Sequence, residues 1–375
     1  MGESSLFSGM TLRELRLDNR VVVSPMCQYS ADEGDAQDWH LMHLGQLALS
    51  GAGLLITEAA AVEPRGRITP QCLGLYSDAN EAALKRVIDF CRQHSSAAMG
   101  IQLAHAGRKA STHRPWEGRH PLGPDEGAWQ TVSSSDLPHD AGWHRPVSLD
   151  RTMMDEVKAA FVTAVERSER IGFDLIECHG AHGYLMHEFL SPIANQRQDE
   201  YGGSLENRMR FPLEVFAAMR AAWPAHKPMG LRVSTTDWVE GSWNPDEAVI
   251  FGRELKRLGC DFITASSGGV SEQQQIQLGE GYQVAFAAKL RKEVDLPTMA
   301  VGMIFDPEHA ERIVANGEAD MVALARGLLF DPHWPWTAAA ALGGTITPPP
   351  QYERAYDFRF LREMRAGGAT QGDAV

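Results

Sequence analysis

The stretch GFDLIECHGAHGYLMHEFLSP, residues 172–192, decides how the chain folds. A largely apolar run, LIECHG (175–180), turns at once into a loop that carries His179, His182 and Tyr184. Continuous runs of this kind, in place of alternating ones, mark parallel strands buried on both faces. Seven more follow the same pattern: VVVSPM (21–26), GLLITEA (53–59), MGIQLAH (99–105), MGLRVS (229–234), FITASSG (262–268), PTMAVGM (297–303) and MVALAR (321–326). Helical patterns fall between them, clearest at 78–95, 148–172, 244–259 and 306–317. Phe161, Ala164 and Val165 stand at helical spacing behind Ser148 or Asp150 as a cap. Asp306-Pro307 and Gly317 are the start and stop signals of the last helix.

Eight strand-then-helix units predict an α/β fold, a single (β/α)8 TIM barrel. The rival is a doubly wound sheet, but no GxGxxG follows any strand and no P-loop occurs. The third strand is followed by a long excursion, about 106–147, rich in Pro, Gly, His and Trp. On the catalytic face it would serve as a lid or substrate subdomain; otherwise it is a solvent-exposed excursion. The barrel is expected to span 1–356, with 357–375 as a C-terminal extension flexible at its end.

Composition narrows the function. The formal net charge is −14, which argues against nucleic acid or an anionic membrane as a partner. Five unpatterned cysteines suggest neither a disulfide framework nor a metal site, so a reducing compartment, the cytoplasm, is expected. No apolar run approaches the length needed to span a membrane.

In such a barrel the chemistry sits at the strand C-termini. There the sequence places Ser24, Pro25, Met26, Cys27, Gln28 and Tyr29; Glu58 and Ala59; Gln102 and His105; His179, His182 and Tyr184; Arg232; Gly302 and Met303; and Ala325, Arg326 and Gly327. Arg326 with the glycines on the last two strands could bind a phosphate through backbone N–H groups and a guanidinium fork. Three readings of His179 and His182 stand. They could ligate a metal, as in a metal-dependent barrel hydrolase, but a carboxylate partner is missing and the second HxxH (His40, His43) lies on a helix. They could be a structural pair. Or two neutral imidazole N–H groups hold an oxygen that becomes negative, while Tyr184 is the general acid. Cys27 is a buried thiol, a nucleophile or a tuner of a cofactor, the last including a non-catalytic redox sensor.

Taken together, RVVVSPMCQYSADEGDAQDWHLMH, EAAAVEPRGRITP, GIQLAHAGRKAS, ECHGAHGYLMHEFLSPIANQRQDEYGGSLENRMRF, LRVS, AVGMI and ARGLLFDPHW resemble the old yellow enzyme family of FMN-dependent ene-reductases. The likeness runs from about Leu6 to about Tyr356 and is strongest to the thermophilic-like and xenobiotic reductase branch. It implies FMN at the barrel mouth, with NAD(P)H as transient hydride donor and an activated alkene or nitro compound as substrate. Ser24, Pro25, Met26 and Cys27 would line the flavin, and Cys27 would adjust its potential. Ala59 and Gln102 would face the pyrimidine end, Arg232 would sit near N1, and Gly302, Met303, Ala325 and Arg326 would hold the phosphate. His179 and His182 would grip the activating oxygen, Tyr184 would donate the proton, and Tyr29 would bind substrate. No metal is implied. The family also implies a homodimer or homotetramer, in which Arg354 of QYERAY (351–356) reaches a neighbouring pocket. THRPWEGRHPLGPDEGAWQ (112–130) resembles the xenobiotic reductases instead, so substrate choice transfers from neither relative.

Overall fold

A computed structural model describes residues 4–355, with side chains through residue 352. Eight parallel strands close into a barrel in chain order: β1 Val21–Val23, β2 Leu54–Ala61, β3 Ala98–Ala104, β4 Leu175–Gly180, β5 Met229–Ser234, β6 Ile263–Ser266, β7 Thr298–Ala300 and β8 Met321–Leu324, which returns to β1. Each falls on a run read as a strand. The first and seventh are shorter than their sequence runs. Beyond Val23 comes Pro25, which has no N–H for a ladder. Beyond Ala300 the chain enters Gly302 at φ +118°, a conformation no strand uses.

Four of the helices were the clearest in sequence: α2 (Asp78–His94), α3 (Arg151–Ile171), α6 (Pro245–Arg257) and α8 (Pro307–Ala315). Ser77, Asp150, Asn244 and Asp306 accept hydrogen bonds from their first-turn N–H groups. Asp150, not Ser148, therefore caps α3; Ser148 pairs instead in a two-residue ladder, Val132–Ser133 with Val147–Ser148. α1 (Asp38–Ala48), α4 (Leu185–Leu190), α5 (Leu205–Ala222), α7 (Val284–Val294), α9 (Arg326–Phe330) and α10 (Trp334–Leu342) complete the α-helices among the described residues. A hairpin of Met10–Leu12 and Leu15–Leu17, too short to show in sequence, stoppers the N-terminal end of the barrel. Its Leu12 and Leu17 pack with Val22, Leu54, Leu175, Met299 and Met321.

The excursion after β3 is packed, not loose. Ala110, Leu122 and Val132 are buried. The Trp129 indole N–H donates to the Arg65 carbonyl (3.0 Å), and Arg67 lies over the same ring. Arg108 donates to the carbonyls of Leu137 and Val270. The excursion is thus tied to β2, β4 and β6 loops at the C-terminal end of the barrel. The side chain of Arg354 and residues 356–375, which include the extension expected at 357–375, lie outside the described residues. Among the described residues, no helix is long and apolar enough to cross a membrane.

Candidate active site

Strand register decides which side chains converge. Gln102 stands opposite Glu177, His179 opposite Arg232, and Arg232 opposite Thr264. Paired residues on neighbouring strands share a face, so these side chains all point into the barrel. Glu177 is fully buried; Gln102 Nε2 donates to its Oε1 (2.7 Å) and the Thr264 hydroxyl to its Oε2. Burial raises its carboxyl pKa, while the Arg232 charge pulls the other way. Arg232 donates to Ser24 Oγ (3.1 Å) and Ser266 Oγ (3.5 Å), and its buried Nε has no protein partner.

The loop after β4 is held open by strain and bonds. His182 (φ +60°) and Gly183 (φ +73°) are both left-handed, and a Cβ at Gly183 would meet the Gly269 carbonyl at 2.2 Å. The Gly183 N–H donates to His187 Nδ1 (2.9 Å). His187 Nε2 lies 2.8 Å from Asp237 Oδ1, whose other oxygen accepts from Ser191 and Ser242. This buried chain sets the backbone between His182 and Tyr184. Lys109 Nζ donates to the carbonyls of His182 (3.0 Å) and Gly269 (2.8 Å) and lies 5.3 Å from the Tyr184 ring centre.

The network also sets the imidazole tautomers. The Ala181 N–H donates to His179 Nδ1, leaving the proton on Nε2. His179 Nε2 therefore donates to His182 Nδ1 across 3.3 Å. That leaves the His182 proton on Nε2, which donates to Ser266 Oγ at 2.6 Å, and Ser266 Oγ also accepts from Arg232 (3.5 Å). Burial, and then the Arg232 charge, push both imidazole pKa values well below the usual range, so both rings are neutral. Burial pushes the Tyr184 and Tyr29 phenols up, so both stay protonated. It also pushes the Cys27 thiol well up. Cys27 is therefore no activated thiolate.

Two cavities flank this group. The lower, about 250 Å³, is lined by Ser24, His182, Arg232, Ser266, Gly302, Met303, Ala325 and Arg326. The upper, about 510 Å³, is lined by Tyr29, Lys109, Arg119 and Tyr184 with residues of the excursion. A small slot lined by Ala59 and Tyr184 adjoins them. A family profile described as NADH:flavin oxidoreductase / NADH oxidase matches residues 5–343. The chain belongs to the NADH:flavin oxidoreductase / NADH oxidase family.

It is 40% identical over 358 residues to an NADPH dehydrogenase of Geobacillus sp. (strain WCH70), covering 95% of this chain and all of that one. It is 40% identical over 353 residues to the NADPH dehydrogenase of Bacillus subtilis (strain 168), covering 94% and 99% of the two. A solved structure of morphinone reductase superposes with a TM-score of 0.75 at 27% identity, covering 93% of each chain. The resemblance to the old yellow enzymes is thus borne out. The protein is an FMN-dependent oxidoreductase with NAD(P)H as its reductant, and the metal-hydrolase and redox-sensor readings find no support.

The residues present fit a flavin of this family. The lower cavity offers the orphaned Arg232 Nε, where a reduced, anionic ring system would find a cation, and Arg326 at its rim. Gly302 leaves its backbone bare, since a Cβ there would strike Gln283 at 2.8 Å. Ser24, Arg232, Gly302, Met303, Ala325 and Arg326 share that cavity; Ala59 pairs in register with Gln102 beside it. Pro25, Met26 and Cys27 continue from Ser24 on a loop whose Gln28 N–H donates to Glu58 (2.9 Å). Glu58 also lies 3.1 Å from His40 Nε2, so His40 of the second HxxH braces this loop. A bulge between Thr57 and Ala59 lets Glu58 turn outward while Ala59 faces the site.

Sequence reading missed Glu177, Lys109, Ser266 and the His187–Asp237 pair. Each acts through contacts distant in sequence, and only the acidic residue within an apolar strand was a readable signal. Lys109 yields a pH prediction. Burial chiefly lowers its ammonium pKa to about 8. Below that pH its charge favours an oxyanion in the cavity; above it the charge is lost. The alkene half-reaction is therefore expected to fall as pH rises through about 8, and Lys109→Met to abolish that break in a stopped-flow pH series. A break that survives in Lys109→Met would remove Lys109 from that role.

Proposed function

We propose that the protein reduces the C=C bond of activated alkenes such as enones, maleimides and nitroalkenes. The observation that supports this reading most is the adjacent pair of neutral imidazoles, His179 and His182, with a protonated Tyr184 beside them. Bound FMN supplies the redox chemistry, taking hydride from NAD(P)H and giving it to the alkene β-carbon. An activating carbonyl or nitro oxygen displaces the contact between the two imidazoles and accepts from His179 Nε2, and from His182 Nδ1 once His182 takes its other neutral tautomer with Ser266 donating to its Nε2. Two imidazole donors then meet the charge growing on that oxygen. Tyr184 holds a proton at its hydroxyl for the α-carbon, and Tyr29 and the excursion 106–147 close the substrate side as a lid. Ser24, Pro25, Met26, Cys27, Ala59, Gln102 and Arg232 line the ring, and Gly302, Met303, Ala325 and Arg326 take the phosphate.

NAD(P)H and alkene use one pocket in turn, consistent with the missing dinucleotide fingerprint. Assembly as a homodimer or homotetramer, with Arg354 crossing to a neighbour, is part of the same reading. So is a cytoplasmic location, supported by five free cysteines. Purified protein, reconstituted with FMN, is expected to be yellow, to bleach anaerobically with NADPH and to recover colour with 2-cyclohexenone. Bleaching without recovery across an enone panel would remove the alkene as substrate.

A further inference from the structure

The upper cavity contains a cation that the proposed reaction does not use. Arg119 lines it together with Tyr29, Lys109 and Tyr184. It is exposed and makes no hydrogen bond or ion pair among the described residues. Two other arginines of the same excursion are committed: Arg114 pairs with Glu117 (3.0 Å) and Arg145 with Asp136.

Arg119 is also held where it is. Its backbone is left-handed (φ +56°), directly after Gly118 at φ +107°. Such strain in a non-glycine residue persists only when its surroundings impose it. Here they do. The His113 N–H donates to the His120 carbonyl and the Leu122 N–H to the Ser111 carbonyl, both at 2.9 Å, clamping the turn at its base. The His113 and His120 rings stack at 4.1 Å, and Trp116 meets the Tyr29 ring edge-on at 5.9 Å. The turn is thus tied to a substrate-facing tyrosine, with its guanidinium unpaired.

The other charged groups lining the cavity, Lys109, Asp140 and Glu272, make no ion pair with Arg119. Lys109 spends two of its protons on the His182 and Gly269 carbonyls. Glu272 leans on His139 (3.3 Å) and Asp140 lies on the same wall. Arg119 favours the charged forms of Cys27, Tyr29 and Tyr184, so its field reaches the reacting end. A chain with net charge −14 repels anions at long range. An unpaired guanidinium at the mouth offsets that for one chosen group.

Resting on the enone reading above, we propose that Arg119 is an anion subsite that selects activated alkenes carrying a carboxylate remote from the C=C bond. The guanidinium fork matches a carboxylate's two oxygens, while His179 and His182 hold the activating oxygen at the other end.

The test uses the FMN-loaded protein, reduced anaerobically with dithionite and mixed with a carboxylate-bearing cyclohexenone or its methyl ester. Wild type is expected to favour the acid. Arg119→Gln should lower the acid-to-ester ratio of reoxidation efficiency about fivefold, the scale of a solvent-exposed ion pair. Arg119→Lys should keep most of the ratio, and 0.5 M salt should erode it in wild type. Calorimetry with 4-hydroxybenzoate and its methyl ester should show the same shift in affinity without turnover. An unchanged ratio in Arg119→Gln, with both alkenes still reduced, overturns the subsite and leaves the enone reading standing. A loss confined to bleaching by NADPH assigns Arg119 to the coenzyme's phosphates and equally overturns it. Wild type that reduces neither alkene refutes the enone reading and the subsite with it.

Discussion

Tyr184→Phe is expected to slow alkene reduction by about 10²- to 10⁴-fold, the usual worth of a positioned general acid, and to slow flavin reduction by NAD(P)H far less. The phenol lines the upper cavity and the adjoining slot, its ring near Lys109 Nζ and at 5.0 Å, edge-on, from the His179 ring. Burial raises its pKa. The group therefore keeps its proton across the working pH range, and no loss of activity from phenol ionisation is expected below pH 10. Only the alkene half-reaction consumes a proton at carbon, so only that half should suffer heavily from its removal. Stopped-flow measurement of each half-reaction checks this. Equal losses in both would strip Tyr184 of the donor role and leave it a packing residue.

Arg232→Met carries the second large effect, on stability as well as on FMN retention. Glu177 is fully buried inside the barrel and Arg232 is the positive charge that lowers its pKa. Deleting that charge leaves a carboxylate with hydrogen bonds from Gln102 and Thr264 but no counter-charge. The cost is about 3 kcal/mol, the low end for an uncompensated buried ion, because those two bonds remain. The sign with pH follows from the direction of the Glu177 shift. Its folded pKa is already raised by burial and rises further without Arg232. Folding then favours the protonated carboxyl, so the variant is least impaired in acid and loses stability as pH rises through that raised pKa. Denaturant unfolding of the cofactor-free protein at pH 5 and pH 8 measures the difference. Adding Glu177→Gln should recover most of the loss, whereas a double variant no more stable than the single would show that the pair does not interact.

The same two residues show where sequence reading stops. Arg232 was legible because it is a lone charge at the end of an apolar strand, and position in a barrel explains such a residue. Glu177 was overlooked two places before a histidine that drew attention first. Its importance lies in Gln102, Thr264 and Arg232, which come from three other strands. Lys109 was likewise quoted within a motif without a role, because its partners are backbone carbonyls at 182 and 269. The short plug hairpin and the capping of α3 by Asp150 and not Ser148 were out of reach for a simpler reason. Three-residue strands leave no periodicity, and two neighbouring cap-type residues compete on equal terms until packing chooses.

What the sequence by itself determined was the set of eight buried strands, their order, and the placing of His179, His182, Tyr184 and Arg326 at their C-terminal ends. Local burial patterns and fixed motifs are written residue by residue, so one chain suffices to read them. Only the tertiary structure decided which histidine nitrogens carry protons, that His40 braces a loop, and that Arg119 stands unpaired above Tyr29. Those are properties of groups far apart along the chain. Hydrogen-bond partners and electric fields act through space, and closure of the barrel is what brings them within reach.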